Sequence, residues 1–313
     1  MEKTVHIQFL IVLLSIAMGV SAQKTDVPKF PVKPEVLVEG VFKGCEGIAF
    51  NGEGRLFVTG DNGLWEITVN GEANKITDLY SNLGIAAIGK RDVLVADFGL
   101  TNAFRQEKNN DGIVWRITPE GKKTEFVKGI GDPNFILMMA DKSLLISDDA
   151  TNEIFLVDQE GKLRLFCTAV NHPNGLALSQ DQHALYIAQI FKSIRPVIPD
   201  NRVWAVELDN GKPVSEAKLV TVTGDKGAND GLVMDKQGRV YIAANGDGKI
   251  WRFDPGTKEN IIIIENIFGV ASMVFGEGLF DSKSIYITTT YSGGRGGKVF
   301  RVGVGTEGLP VHR

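Results

Sequence analysis

The 313-residue sequence has little cysteine and no excess of basic residues, and each scarcity excludes a class of protein. Two cysteines, Cys45 and Cys167, are too few for a scaffold held by disulfides or for a cysteine-rich zinc site. A net charge of −4 gives no basic surface for nucleic acid. Long runs of alanine, leucine and glutamate are also rare, whereas glycine occurs 36 times, so we expect many turns and few helices.

The first 22 residues have the pattern of an export signal. Lys3 lies in a short polar start, the stretch from Phe9 to Val20 is almost entirely apolar, and small residues precede a cleavage point after Ala22. The apolar stretch is too short to span a membrane as a helix. We therefore expect a secreted or periplasmic protein, with an uncleaved anchor as the alternative. In such a protein we expect free, mostly buried cysteines, and a disulfide between them stays an alternative.

One short phrase occurs six times along the chain, with an aromatic residue between aliphatic neighbours. The aromatic position holds all four tryptophans and two phenylalanines: Trp65, Trp115, Phe155, Trp204, Trp251 and Phe300. A spacing of about 40 to 50 residues is typical of an architecture with one small sheet per repeat. Each repeat contains four strand-like segments, so the sequence predicts an all-β fold, a six-bladed β-propeller with four antiparallel strands per blade.

The sixth repeat stops after its third segment, at Phe300 to Val304. A fitting fourth segment, Glu35 to Val38, precedes the first repeat. We predict that this N-terminal strand completes the last blade and removes an open sheet edge. The predicted layout is a signal peptide at residues 1–22, an extended lead-in at 23–34, the propeller at 35–305 and a C-terminal tail at 306–313.

The first strands of all blades begin at the same face of a propeller, so the residues that open them converge on the axis. Here these residues are Glu46, Gly84 or Leu83, Asn134, Asn174, Asp230 and Ala271. Carboxylates and amides buried together without Lys or Arg are costly unless a cation lies among them. Although Asn-Gly and Asp-Gly also mark plain turns, their shared position predicts a divalent metal site. Oxygen ligands favour Ca²⁺, with Zn²⁺, Mg²⁺ and Mn²⁺ as alternatives.

The sequence resembles the gluconolactonase / senescence-marker-protein (regucalcin) family over about residues 35 to 305, on the segments Glu46-Gly47, His172-Pro173-Asn174-Gly175-Leu176-Ala177 and Asn229-Asp230-Gly231-Leu232. The resemblance implies that Glu46, Asn174 and Asp230 bind the metal. The related paraoxonases and drug-responsive lactonases of the calcium-dependent phosphotriesterase superfamily add a ligand from the third blade, where this chain has Asn134.

This chain departs from the family at two places. The usual Asn-Asp-Gly of the third blade is Pro133-Asn134-Phe135, so sugar binding by that region is not carried over. The histidine pair of paraoxonases has no evident counterpart.

The expected activity is hydrolysis of lactones or related esters. A metal ion would polarise the carbonyl, and the resemblance assigns proton abstraction from water to Asp230. His172 is a candidate proton shuttle or an ordinary loop residue. The loops Phe98 to Asp111, Gln189 to Asn201 and Tyr291 to Gly296 lie on the same face and offer candidate substrate contacts at Phe104, Arg105, Phe191, Arg195, Tyr291 and Arg295.

Three acidic residues end second strands at this face and are expected to support the metal ligands: Asp97, Asp148 and Asp149. Two other functions stay open. One is a different reaction on the same scaffold, such as a lyase, an isomerase or a strictosidine-synthase-like condensation. The other is a non-catalytic propeller that binds a sugar or a protein and holds structural calcium.

Overall fold

The computed structural model describes residues 28–81, 83–100, 109–290 and 296–313. The predicted export signal lies outside these residues. In the described part of the chain, no helix is long and apolar enough to cross a membrane. Strands dominate these residues, and the regular helix they contain is the short 3₁₀ turn Asn245–Asp247.

The predicted six-bladed β-propeller is confirmed, with antiparallel sheets as blades. Strand β1 (Glu35–Phe42) precedes blade 1. Blades 1 to 3 consist of β2 (Cys45–Phe50), β3 (Leu56–Gly60), β4 (Gly63–Ile67), β5 (Ala73–Asp78); β6 (Ile85–Ile88), β7 (Asp92–Asp97), β8 (Gly112–Ile117), β9 (Lys123–Ile130); and β10 (Pro133–Met138), β11 (Leu144–Asp148), β12 (Ile154–Val157), β13 (Leu163–Cys167).

Blade 4 carries additional short strands beside its main four. It consists of β14 (Pro173–Leu178), β15 (Ala184–Gln189), β18 (Arg202–Asp209) and β20 (Lys218–Val222), with the hairpin β16 (Phe191–Ile194) and β17 (Val197–Pro199) and the short β19 (Lys212–Pro213). Blades 5 and 6 consist of β21 (Asn229–Met234), β22 (Val240–Ala244), β23 (Lys249–Phe253), β24 (Asn260–Ile264); and β25 (Val270–Phe275), β26 (Ser284–Thr289), β27 (Gly297–Gly303).

The N-terminal strand closes the ring. Strand β1 pairs antiparallel with β27, with Val36 opposite Phe300 and Glu35 opposite Arg301. It therefore supplies the fourth strand of blade 6, as the sequence predicts, and it continues beyond the predicted end to Phe42. Because the outer edge of the last blade is paired, the closure joins the two ends of the repeat array.

The hydrophobic core lies between the blades. Alternate residues of a strand point to opposite faces of its sheet, so each blade contributes to two core clusters. In β3, Phe57 packs towards blade 2 and Val58 towards blade 6, and both are buried. This explains why second strands such as Leu56–Gly60 read as continuous apolar runs rather than as alternating ones.

The repeated aromatic position lies in the third strand of each blade. The indole N–H groups of three tryptophans donate to the end of the neighbouring second strand: Trp65 to the Gly60 carbonyl at 2.8 Å, Trp204 to Gln189 at 2.9 Å, and Trp115 to Asp97 at 3.1 Å. Each bond anchors the start of a third strand to the end of a second strand. We call the face where these strand ends lie, and where the first strands begin, the upper face.

The first strands approach each other closely around the axis, and glycine permits this. A Cβ added at Gly47 would lie 2.1 Å from the carbonyl oxygen of Leu83 in blade 2. A Cβ at Gly175 would lie 2.3 Å from the carbonyl oxygen of Asp230 in blade 5. Any side chain at these positions would push neighbouring blades apart.

The C-terminal tail crosses the lower face. Leu309 N–H donates to the Met234 carbonyl at 2.9 Å, and His312 contacts Gln182 at 3.2 Å. The terminal Arg313 pairs with Glu277 and accepts a hydrogen bond from Lys142 through its main-chain oxygen. These partners belong to the lower hairpin ends of blades 3, 4, 5 and 6, so the tail runs along the lower face of these four blades.

Both cysteines are free thiols in the structure. Cys45 is buried and its Sγ donates to the Lys298 carbonyl at 3.3 Å, whereas Cys167 is half-buried at the end of β13. Burial raises the pKa of the Cys45 thiol to about 12. The expectation of two unpaired cysteines therefore agrees with the structure.

The close approach of the first strands can be tested with Gly47→Ala. The new methyl group would lie in the position of the Leu83 carbonyl, so we expect the free energy of unfolding, measured by denaturant titration in chelator, to fall by about 1–3 kcal/mol. The matched control is Gly303→Ala, where the nearest atom to the new Cβ is 3.9 Å away. Equal stability of the two variants would contradict the packing argument.

Candidate metal centre

Four polar residues predicted to face the axis occupy the same position in their blades. Each is the second residue of a first strand: Glu46 in β2, Asn134 in β10, Asn174 in β14 and Asp230 in β21. In blade 6 this position is Ala271. In blade 2 it is Leu83, because Gly84 packs against the Asn134 carbonyl just as Gly47 packs against that of Leu83. Two apolar residues therefore complete the ring.

The same irregularity of the β-ladder accompanies each of the four polar residues. Strand pairing shifts between Cys45 and Ile48, between Pro133 and Ile136, between Pro173 and Leu176, and between Asn229 and Leu232. A bulge frees a residue from regular pairing and re-aims its side chain. The same shift occurs between Val270 and Met273 in blade 6, so it is a feature of this strand position, which it frees from regular pairing.

The carboxylates at the axis influence each other strongly. Burial raises the pKa of Glu46 well above its usual range, and the nearby charges of Asp230 and Asp149 raise it further. Burial likewise raises the pKa of Asp230 to about 8, although N–H groups of Asn245 and Gly231 act in the opposite direction. Without a cation, ionisation of these groups is therefore disfavoured.

The two amides differ in their surroundings. Asn134 donates from Nδ2 to Oδ2 of Asp149 at 2.9 Å, and its side chain also lowers the pKa of Glu46. Asn174 is 1% exposed, and neither its Oδ1 nor its Nδ2 has a hydrogen-bond partner. A buried amide without partners is costly and calls for an explanation such as a bound ion or water.

Amide oxygens are essential to a metal site here. Within the described ranges, no three side chains of His, Cys, Asp and Glu form a group able to hold a metal ion. A site at the axis must therefore combine the carboxylates of Glu46 and Asp230 with the oxygens of Asn134 and Asn174. Such a mixed oxygen set suits a hard cation of the Ca²⁺ type, which means that the residues present fit the predicted ion.

Two residues near Asp230 were missed by the sequence reasoning. Asn245 donates from Nδ2 to Oδ2 of Asp230 at 3.3 Å and lies 3.5 Å from Oγ1 of Thr290. Both follow the ends of second strands, β22 and β26. The rule that selected Asp97, Asp148 and Asp149 would have found them, had it been applied to amides and hydroxyls.

The three acids predicted to support the ligands lie in different environments. Asp97 accepts hydrogen bonds from Tyr80 N–H at 3.0 Å and from Ser81 at 2.8 Å, besides the indole of Trp115. Its carboxylate therefore anchors a loop between blades 1 and 2.

Asp148 accepts from Ala150 N–H at 3.0 Å, and burial raises its pKa to about 6. Asp149 alone of the three contacts a candidate metal ligand, through its bond to Asn134.

His172 lies beside this group with a defined orientation. Its Nδ1 is 2.8 Å from the main-chain oxygen of Asp149, and its ring makes an edge contact with Phe191 at 6.3 Å between centroids. A carbonyl oxygen only accepts, so Nδ1 carries the proton and Nε2 is the basic nitrogen. Arg195 is exposed in the turn between β16 and β17, and Phe104, Arg105, Tyr291 and Arg295 lie outside the described residues.

A cavity opens at the upper face next to Glu46. Its volume is about 530 Å³, and polar groups dominate its wall: Lys43, Gly44, Cys45, Glu46, Asp61, Asn62 and Thr290. This size suits a small organic molecule.

Residues 147–291 match the family model "SMP-30/Gluconolactonase/LRE-like region". A gluconolactonase from Zymomonas mobilis is 32% identical over 131 residues, which cover 40% of this chain. The matched segment spans 34% of that relative, so the chain matches about a third of its length.

Two solved structures share the fold over nearly the whole chain. The calcium-binding protein regucalcin from Agrobacterium tumefaciens has a TM-score of 0.71 at 21% identity, covering 91% of this chain and 98% of that chain. A gluconolactonase from Xanthomonas campestris has a TM-score of 0.67 at 15% identity, covering 90% and 97%. The resemblance predicted from the motifs is confirmed by the match of residues 147–291 to the SMP-30/gluconolactonase region, and the two solved structures share the propeller fold.

Proposed function

We propose that this protein is an exported hydrolase of lactones or related esters that uses a divalent cation, Ca²⁺ foremost, at the propeller axis. The family relationship supports lactone hydrolysis in general terms. Two observations support the cation proposal: the buried Asn174 amide has no hydrogen-bond partner, and the carboxylates of Glu46 and Asp230 are buried close to each other. A cation would satisfy the amide oxygen and offset the clustered negative charge.

Glu46, Asn134, Asn174 and Asp230 would hold the ion. When bound, such an ion supplies Lewis acidity that polarises a carbonyl and favours the developing oxyanion. Asp230 acts as the general base and takes a proton from the attacking water. Asn245 donates to Oδ2 of Asp230, and this bond orients the carboxylate and favours its ionised form.

His172 and the upper loops would handle the proton and the substrate. With Nδ1–H donated to the Asp149 carbonyl, Nε2 of His172 is free to accept a proton at the mouth of the site. Phe191 packs against the His172 ring and presents an apolar surface on the same hairpin as Arg195. We propose Phe191 and Arg195, together with Arg105 and Tyr291, as substrate contacts.

The first test is Asp230→Asn, assayed on a panel of sugar lactones, alkyl lactones and aryl esters with Ca²⁺ or with chelator. Loss of the general base should lower kcat/KM by about 10²- to 10⁴-fold while the melting temperature stays measurable. Asp209→Asn makes the same chemical change in an exposed turn at the end of β18 and should leave turnover unchanged. Full turnover by Asp230→Asn would contradict the assignment.

The same panel separates the competing functions. A non-catalytic propeller with structural calcium would show no hydrolysis, and Glu46→Gln would lower only its melting temperature. A lyase or isomerase would convert a substrate without consuming water, which product analysis by mass spectrometry detects.

The pH dependence of stability tests the electrostatics of the axis. The pKa of Asp230 is raised in the folded protein from 3.8 to about 8, so its contribution to stability is complete below pH 3.8 and is lost as the pH rises towards 8. In chelator, the melting temperature of Asp230→Asn should therefore rise relative to that of the wild type as the pH increases from 3.8 to about 8. Saturating Ca²⁺ should raise the wild-type melting temperature most at the high-pH end, because cation and proton compete. Parallel curves in chelator would refute the predicted pKa shift.

A further inference from the structure

Asp149 lies outside the first strands, yet its carboxylate contacts a candidate metal ligand. It follows β11 directly, it is 7% exposed, and Oδ2 accepts a hydrogen bond of 2.9 Å from Nδ2 of Asn134, which is 5% exposed. The two residues are in the same blade but in neighbouring strand ends, so the bond joins a second-strand end to the opening of a first strand.

The bond determines which end of the Asn134 amide is available. Nδ2 of Asn134 is the donor and Oδ2 of Asp149 the acceptor, so the NH₂ end of the amide faces Asp149. The carbonyl end of Asn134, which is the end that binds a hard cation, is then the one left for the axis. Without such a partner, the two ends of an asparagine side chain can exchange by rotation about one bond.

Asn174 provides the internal comparison. It occupies the equivalent position in blade 4, yet neither end of its amide has a partner. Asp97 and Asp148 also end second strands, but their hydrogen bonds go to main-chain N–H groups, a serine and an indole rather than to a residue of the ring. In blade 3 the Asn134 amide is held by Asp149 and also bonds to Glu46, whereas the Asn174 amide of blade 4 has no partner.

We propose that Asp149 is a positioning residue that holds Asn134 with its carbonyl oxygen available to the cation. The inference rests on the proposed metal function. The main-chain carbonyl of Asp149 contacts Nδ1 of His172 independently of the Asp149 side chain. Replacing the side chain therefore separates the effect on Asn134 from the effect on His172.

The experiment measures Ca²⁺ affinity by calorimetry for the wild type, Asp149→Ala, Asn134→Ala and the double variant. Each single substitution should weaken binding about 10- to 100-fold, as loss of a partner that orients a ligand does elsewhere. The double variant should bind no more weakly than Asn134→Ala, because the two residues act through one contact. Additive losses, or unchanged affinity of Asp149→Ala, would overturn the proposal.

Asp149→Asn distinguishes positioning from charge. Its Oδ1 can still accept the bond from Asn134, so it should retain most of the affinity that Asp149→Ala loses. Affinity as low as that of the alanine variant would show that charge alone matters and would overturn the proposal. Asp148→Asn is the matched control in the adjacent position and should bind Ca²⁺ like the wild type.

A measurement of folding keeps the outcomes separate. Circular dichroism melts in chelator establish that each variant is folded. If Asp149→Ala does not fold, Asp149→Ser is measured in its place. Failure of the wild type to bind any divalent cation would refute the proposed function and this inference together. Binding by the wild type with equal binding by Asp149→Ala would refute this inference alone.

Discussion

The close approach of the first strands around the axis is the constraint on which the rest of the structure depends. At Gly47 and Gly175 the carbonyl of the next blade lies where a side chain would begin. The residue before each glycine lies at a bulge in its strand. Glycine at these positions is therefore required by packing. The close approach that it permits brings the preceding residues of separate blades together.

That convergence has an electrostatic cost. Burial raises the pKa of Glu46, Asp149 and Asp230, and the charge of Asp230 raises the pKa of Glu46 and of Asp149 further, so a bound cation would be the simplest compensation. Buried, uncompensated charge works against folding, so the same residues that would serve chemistry lower the stability of the cation-free protein. The inter-blade cores and the closing strand β1 offset this cost at a distance from the axis.

Repetition made the fold predictable from the sequence. The aromatic position of the third strand and the missing fourth segment of the last repeat identified the blades and the closing strand β1. The ring of Glu46, Asn134, Asn174 and Asp230 followed from the common position in the repeat. Contacts between side chains did not follow, because they depend on bulges and loop paths: Asp97 anchors a loop, and Asn245 reaches Asp230. In blade 2 the sequence left Gly84 and Leu83 open, and the structure places Leu83 at the ring position.

The C-terminal tail makes the lower face of the propeller different from the upper face. From Leu309 to Arg313 it contacts the lower hairpin ends of blades 3 to 6, on the face opposite the candidate metal ligands. Under the proposed lactonase function, substrate and product would therefore pass between the upper loops, and sequence changes in the β16–β17 hairpin of blade 4 would alter product release separately from the chemical step.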